Sequence, residues 1–242
     1  MAAIFVAGCA ATRREPSTQI YDPYEAGNRR VLAANQAIFG PLARGFHAVT
    51  PAVLRDRLNS LDSNLKEPRI FANDLLQLRF GAAVKTAGRF LANTTLGVGG
   101  LFDIAGQAGL PQQSGDFGQT LFVWGVDDGP YLVLPLFGPS NMRDAFGLVV
   151  DQVADPLTWA LQTEFGNRAT IAMAGIDFVT QVDQLKQAEE SSIDFYSFLR
   201  SSYYQTRRAQ LREAVGLPPV VETPMEGTPT SIVRTPPPPP RP

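Results

Sequence analysis

The groups in this chain that can do covalent or acid–base chemistry are few and far apart. Cys9 is the only cysteine and His47 the only histidine in 242 residues. A lone thiol excludes an intramolecular disulfide framework, and a lone imidazole excludes the histidine-rich clusters that bind zinc or iron. A serine hydrolase triad would depend on His47 alone; it follows Arg44-Gly45-Phe46, which reads as a loop or helix end. Gly138-Pro139-Ser140-Asn141-Met142 opens like a nucleophile elbow but lacks the closing glycine. Ser140 reads better as the N-cap of a helix that follows. Gly97-Val98-Gly99 has Phe102 where a dinucleotide loop needs its third glycine, and no strand precedes it, so it reads as a turn. Asp127-Asp128 offers two carboxylates, but residues 125–130 read more simply as a turn than as a calcium site. These groups call for no cofactor.

Two arginines carry more promise. Arg89 and Arg143 flank a block, residues 90–142, that contains no lysine or arginine and only four acids: Asp103, Asp116, Asp127 and Asp128. Either guanidinium suits a phosphate oxygen, and either suits an internal carboxylate such as Asp103 or Asp144. Cys9 follows Val6-Ala7-Gly8 at the end of a short apolar run. This string resembles a bacterial lipoprotein signal, in which the cysteine is acylated and becomes the first mature residue. The alternatives are a small buried hydrophobe or an incidental residue in a frayed terminus. The apolar run is short and no basic segment precedes it, which implies a longer leader upstream. Ala10 rather than aspartate after the cysteine favours the outer membrane by analogy.

The elements that must position these groups are helical. Leu54, Leu58, Leu61 and Leu65 recur at helical spacing after Thr50-Pro51, an N-cap and first-turn pair. Pro68 is expected to end that helix and start another through Phe80; residues 81–92 continue the pattern. Phe146, Val149, Val150 and Val153 mark a helix that stops before Asp155-Pro156. Phe165 to Val179 outline another, and Ile193, Tyr196, Leu199 and Tyr203 the last, with Arg207, Arg208 and Arg212 at its C-terminal end as the helix dipole favours. No alternating strand pattern persists, so the expected class is all-α. Residues 214–242 hold ten of the twenty prolines and too little apolar content to repay ordering, which predicts a disordered, partly polyproline tail.

Composition narrows the setting. The net charge of −2 gives no footprint for nucleic acid. Charged residues make up 18%, below the ~25% typical of globular domains. No run approaches the ~20 apolar residues of a spanning helix; the longest past the leader covers residues 131–137. The base-free block holds ten of the 21 glycines. Glycine at that density allows sharp turns and close backbone approach. Such a block is either the buried centre of a fold or a surface that faces lipid.

The block also carries a resemblance. Arg89-Phe90-Leu91-Ala92-Asn93-Thr94 leads into Gly97-Val98-Gly99-Gly100-Leu101-Phe102-Asp103-Ile104-Ala105. Asp116-Phe117-Gly118-Gln119-Thr120-Leu121, Trp124-Gly125, Gly129-Pro130-Tyr131-Leu132-Val133-Leu134-Pro135, Gly138-Pro139-Ser140 and Arg143-Asp144 follow. With Asp22-Pro23-Tyr24-Glu25, Asn28-Arg29 and Glu67-Pro68, the series resembles the MlaA (VacJ) family of outer-membrane lipoproteins over roughly residues 9–212. Gly27 departs from the bulky apolar residue usual before Asn-Arg, which puts the local packing of the first helix in question.

The resemblance implies a ring-like arrangement of short amphipathic helices in the periplasmic leaflet of the outer membrane, lipid-anchored and held beside a porin trimer. A polar central passage would let mislocalised phospholipid leave the outer leaflet toward a soluble periplasmic carrier, without chemistry on the lipid. The organisation expected is a signal remnant at 1–8, a linker from the acylated Cys9 at 9–21, a helical domain at 22–213 and the proline-rich tail at 214–242. Arg89, Gly97, Gly99, Gly100, Asp103 and Arg143 are the candidates to contact lipid or line the passage. Trp124, Tyr131 and Trp159 are candidates for the headgroup level. The alternative functions are a structural lipoprotein that tethers through its tail, and a phospholipase.

Overall fold

The computed structural model describes residues 15–155 and 192–218, with the side chains of 43, 44 and 47 outside the description. Cys9, Trp159, the expected helix at 165–179 and the tail from 219 onward lie outside the described residues. The elements are α1 (Glu25–Val49), α2 (Ala52–Leu76), α3 (Phe80–Thr95), α4 (Ile104–Gln107), α5 (Phe117–Val123), β1 (Tyr131–Leu134), β2 (Gly138–Asn141), α6 (Met142–Val153) and α7 (Phe195–Ala214).

The fold is mostly helical, with one correction to the all-α expectation. The apolar run after Pro130 forms strand β1, which pairs antiparallel with β2 in the register Tyr131 with Asn141 and Leu134 with Gly138. Two strands alone leave open edges, and α1 supplies what a third strand would. The Asn28 amide donates to the Tyr131 carbonyl at 3.0 Å and accepts from the Val133 N–H at 2.9 Å. Seven residues on, two helical turns along the same face, Asn35 makes the equivalent pair with Leu134 and Leu136. Sequence periodicity could not show this, because the strand's partner is a pair of amides on a helix.

Tyr131, fully buried, is the centre of the small apolar core. Around it stand Leu32, Val133, Tyr196, Leu199 and Tyr204. It is therefore not a headgroup-level aromatic, whereas Trp124 is 55% exposed. The motif Asp22 to Arg29 builds the junction of this core with α7. Asp22 accepts from the Tyr196 hydroxyl at 2.6 Å and from Arg200 at 2.7 Å, and Arg29 grips Asp194 through two nitrogens. Gly27 faces open space, so α1 meets no packing defect there.

Three local expectations shift. Helix α2 runs unbroken through Pro68. Its contacts to α3 lie on both sides of the proline, Asn64 to Thr94 at 3.0 Å and Asp74 to Thr86 at 2.8 Å, and hold the segment helical despite the missing N–H. The helix begins at Ala52, with Pro51 rather than Thr50 at the cap. The cap of α6 is Asn141, whose side chain accepts from Asp144 N, while Ser140 lies within β2 opposite Leu132.

The short α5 crosses α6 at a glycine pair. A Cβ on Gly147 would stand 2.4 Å from the Gly118 nitrogen and 2.8 Å from its Cα. Both obstacles are backbone, so the helices would have to separate. Gly147→Ala is expected to cost about 1–3 kcal/mol, read as a lowered thermal midpoint.

Candidate functional site

The helices are turned outside in. The buried residues of α2 are Asp62, Asn64, Glu67, Ile70, Asn73 and Asp74, and those of α6 are Arg143, Gly147 and Asp151. On α3 the buried set is Ala83, Thr86, Arg89 and Asn93. The apolar stripes that mark these helices point away: Phe80, Val84 and Leu91 on α3, and Phe146, Val149 and Val153 on α6, are all exposed. The base-free block divides in the same way. Phe122, Tyr131 and Val133 are buried, whereas Leu96, Val98, Trp124, Leu136, Phe137 and Met142 are exposed. In a protein surrounded by water this distribution would leave a large apolar surface wet and many polar groups dry.

Two polar networks fill the interior. In the first, Arg89 donates from Nε to Glu67 at 2.8 Å, from Nη2 to Asp103 at 3.2 Å, and from Nη1 to the Leu110 carbonyl. Asp103 also caps α4 and accepts from Asn93 at 2.9 Å. Gly97, Gly99 and Gly100 form the adjoining turn. Gly99 and Gly100 adopt φ of +72° and +98°, and a Cβ at Gly100 would strike the Asn64 side chain at 2.6 Å. Burial pushes Glu67 above the usual carboxylate range even though Arg89 pulls it down.

Asp74, fully buried on the same face of α2, is likewise raised by burial, only partly offset by Thr86 and Arg79. The stability linked to that raised value is present below the unfolded pKa and lost as pH rises through the folded one. Asp74→Asn is therefore expected to raise the melting temperature at pH 7, with the gain disappearing near pH 4. The test is melting curves recorded at both values.

The second network joins α5, α6 and α7. Arg207 contacts Asp116 at 2.6 and 2.8 Å and Asp144 through two bonds of 2.7 Å. The Tyr203 hydroxyl donates to Asp144 at 2.5 Å. Arg143, buried, binds Asp144 through two nitrogens and pairs with Asp128. Burial opposes ionisation of both Asp116 and Asp144, but the arginines outweigh it and hold both below the ordinary carboxylate range. Asn73 connects this network to α2: it donates to Asp151 at 3.0 Å and accepts from Thr120 at 2.8 Å.

Beside the second network opens a cavity of about 510 Å³. Its polar wall includes Arg69, Asp116, Asp144, Asp151, Tyr203 and Arg207, and its apolar wall includes Leu134, Phe137, Pro139, Leu148 and Leu199. One wall suits a charged group and the other a hydrocarbon, the two halves of an amphiphile. Arg89 and Arg143 thus enter separate networks, each paired with the carboxylate weighed for it, Asp103 and Asp144. Arg69 and Asp151 carried no motif. The signal that could have found them is a charged residue at helical spacing opposite an apolar stripe, in a chain short of charge overall. Among the described residues no helix is long and apolar enough to cross a membrane.

Comparison with known proteins gives this arrangement its relatives. A protein of Rickettsia felis whose function is uncharacterised is 38% identical over 200 residues, covering 80% of this chain and 79% of its own. The intermembrane phospholipid transport system lipoprotein MlaA of Escherichia coli (strain K12) is 31% identical over 206 residues, covering 82% and 81%. A solved structure described as the structural basis for maintenance of bacterial outer membrane lipid asymmetry superposes with a TM-score of 0.66 at 29% identity. It covers 78% of this chain and 98% of the solved one. The family model for the MlaA lipoprotein matches residues 20–210, and the chain belongs to the MlaA lipoprotein family.

Proposed function

We propose that this protein is a non-enzymatic outer-membrane lipoprotein that maintains lipid asymmetry. Phospholipids misplaced in the outer leaflet pass through its polar interior toward a soluble periplasmic carrier. The observation that carries this reading is the inverted distribution of side chains, apolar outside and ionic inside, around an amphipathic cavity. Helices satisfy their own backbone and so tolerate a lipid environment, and the outward Phe, Val and Leu residues match acyl chains. Acylation at Cys9 would deliver the protein to the periplasmic leaflet, with the apolar faces adding to the anchor. A porin trimer beside it would shield part of that outer wall.

Deleting the gene is expected to expose phospholipid in the outer leaflet and to sensitise cells to detergent and chelator. Unchanged outer-leaflet composition would refute the reading. Removing residues 219–242 is expected to leave activity near normal, which separates a conduit from a tether that works through the proline-rich tail. Full activity of His47→Ala eliminates a phospholipase. Photocrosslinking from residues 90–142 should yield lipid adducts from Leu96 and Val98 and protein adducts from Tyr131.

A further inference from the structure

Among the ionic groups of the cavity wall, most are already committed. Arg207 is locked between Asp116 and Asp144 and also reaches Gln210 at 3.0 Å. Asp144 accepts from Asn141, Arg143, Tyr203 and Arg207. Arg69 differs. Its Nε is buried without a hydrogen-bond partner, and its guanidinium forms no ion pair among the described residues. A guanidinium carries five donors in a planar fork that fits a phosphate through two parallel bonds.

Asp151, across the same wall, accepts one bond on each oxygen, from Asn73 and from the Phe117 N–H. A carboxylate has about four acceptor sites, so about half receive no donor from the described residues. Arg69 acts electrostatically on Asp151 and on Asp116 without touching either. Among the described residues, the wall therefore presents one uncommitted cation and one under-used carboxylate. An anion entering alone would meet three aspartates, and a cation entering alone would meet Arg69. A group bearing both charges a few atoms apart satisfies both.

We propose that this cavity is a headgroup site selective for zwitterionic phospholipid, with Arg69 taking the phosphate and Asp151 the ammonium. The proposal rests on the conduit reading for its physiological setting and deepens it by naming the class of lipid. The acyl chains would lie along Leu134, Phe137, Pro139 and Leu148, which form the apolar wall of the same cavity.

The test uses the full acylated protein in detergent and native mass spectrometry with synthetic lipids of matched chains, phosphatidylethanolamine against phosphatidylglycerol. The wild type is expected to retain phosphatidylethanolamine about tenfold better, a difference of the size one charged hydrogen-bonded contact provides. Arg69→Gln is expected to lower that retention about tenfold, and Arg69→Lys to restore part of it as a point charge without the fork. Asp151→Asn is expected to abolish the preference by raising phosphatidylglycerol to the level of phosphatidylethanolamine. Lys85→Gln, on the exposed side of α3, should change nothing.

Wild-type retention by Arg69→Gln overturns the proposal, as does equal retention of the two lipids by the wild type. Displacement of lipid by inorganic phosphate at equal concentration would assign Arg69 to a free anion and overturn it as well. Because Arg69 forms no ion pair among the described residues, its variants should keep the wild-type melting curve; a large drop would make it a structural residue and overturn its role as a ligand group. The deletion phenotype is read separately. Normal asymmetry in the deletion strain with intact lipid preference refutes the conduit and upholds the site, while abnormal asymmetry without preference does the reverse.

Discussion

Arg207→Leu is expected to destabilise the protein by about 3–5 kcal/mol, the cost of breaking a buried ion pair from one side. Arg207 is 7% exposed, and its guanidinium makes four contacts to two aspartates, one capping α5 and one in α6. Without it, Asp116 at the start of α5 and Asp144 in α6 face each other in the interior, with Arg143 still bonded to Asp144 and Arg69 acting on Asp116 only at a distance. Thermal unfolding of the purified protein should show the loss, and cells should hold less of it. The loss belongs to the stranded charges, so Arg207→Leu combined with Asp116→Asn and Asp144→Asn should recover much of the midpoint. A double-asparagine background that gains nothing would reject this explanation.

The sign of the pH dependence gives a second readout of the same change. Asp116 and Asp144 have folded values below their unfolded ones. Their contribution is present above the unfolded carboxylate range, about 4, and is lost as pH falls through the lowered folded values. The wild type should therefore weaken toward strong acid. Arg207→Leu should instead be relieved by mild acid, which neutralises the stranded carboxylates. Crossing stability-versus-pH curves for the two proteins are the expected result.

The paired change Val149→Glu and Val153→Glu is expected to separate a lipid-embedded exterior from an ordinary wet surface. The two valines are 59% and 65% exposed and lie one turn apart on α6. In water, substitutions at such exposed positions stay within about 0.5 kcal/mol. Facing acyl chains, each carboxylate costs up to about 2.5–3.5 kcal/mol, so the pair should detach α6 from the membrane and abolish asymmetry maintenance. Membrane flotation in a Cys9→Ser background, where no acyl chain masks the effect, is the direct measurement. A variant that floats and functions like its parent would rule out an embedded α6.

Much of the helical order was legible. The stripe at Phe146, Val149 and Val153 marked α6, the run from 81 to 92 lay within α3, and Asp155-Pro156 marked the close of α6 within two residues. These are local signals, set by helical period and by the conformational limits proline imposes. The hairpin escaped because its stabilising partners, Asn28 and Asn35, lie about a hundred residues away. Pro68 was misleading for a related reason. The proline removes one hydrogen bond, but the Glu67–Arg89 contact and its neighbours hold α2 in place. Tyr131 looked like an interfacial aromatic by composition alone, and the three tyrosines packed against it make it the core instead.

By itself, the sequence determined the family, through an ordered series of motifs, and the helical class, through periodicity that each segment carries within its own residues. It also identified Arg89 and Arg143 as cations at the edges of a base-free block. Which face of each helix is the inside was decided only by the tertiary structure. Periodicity shows that a helix has an apolar and a polar side, but it is indifferent to which of them meets a neighbour. That choice depends on ion pairs such as Arg207 with Asp116 and Asp144, formed between residues 63 to 91 positions apart. Tertiary structure likewise places Arg69 beside a cavity with no ion pair among the described residues, and no local pattern in the chain distinguishes it from the arginines that are satisfied.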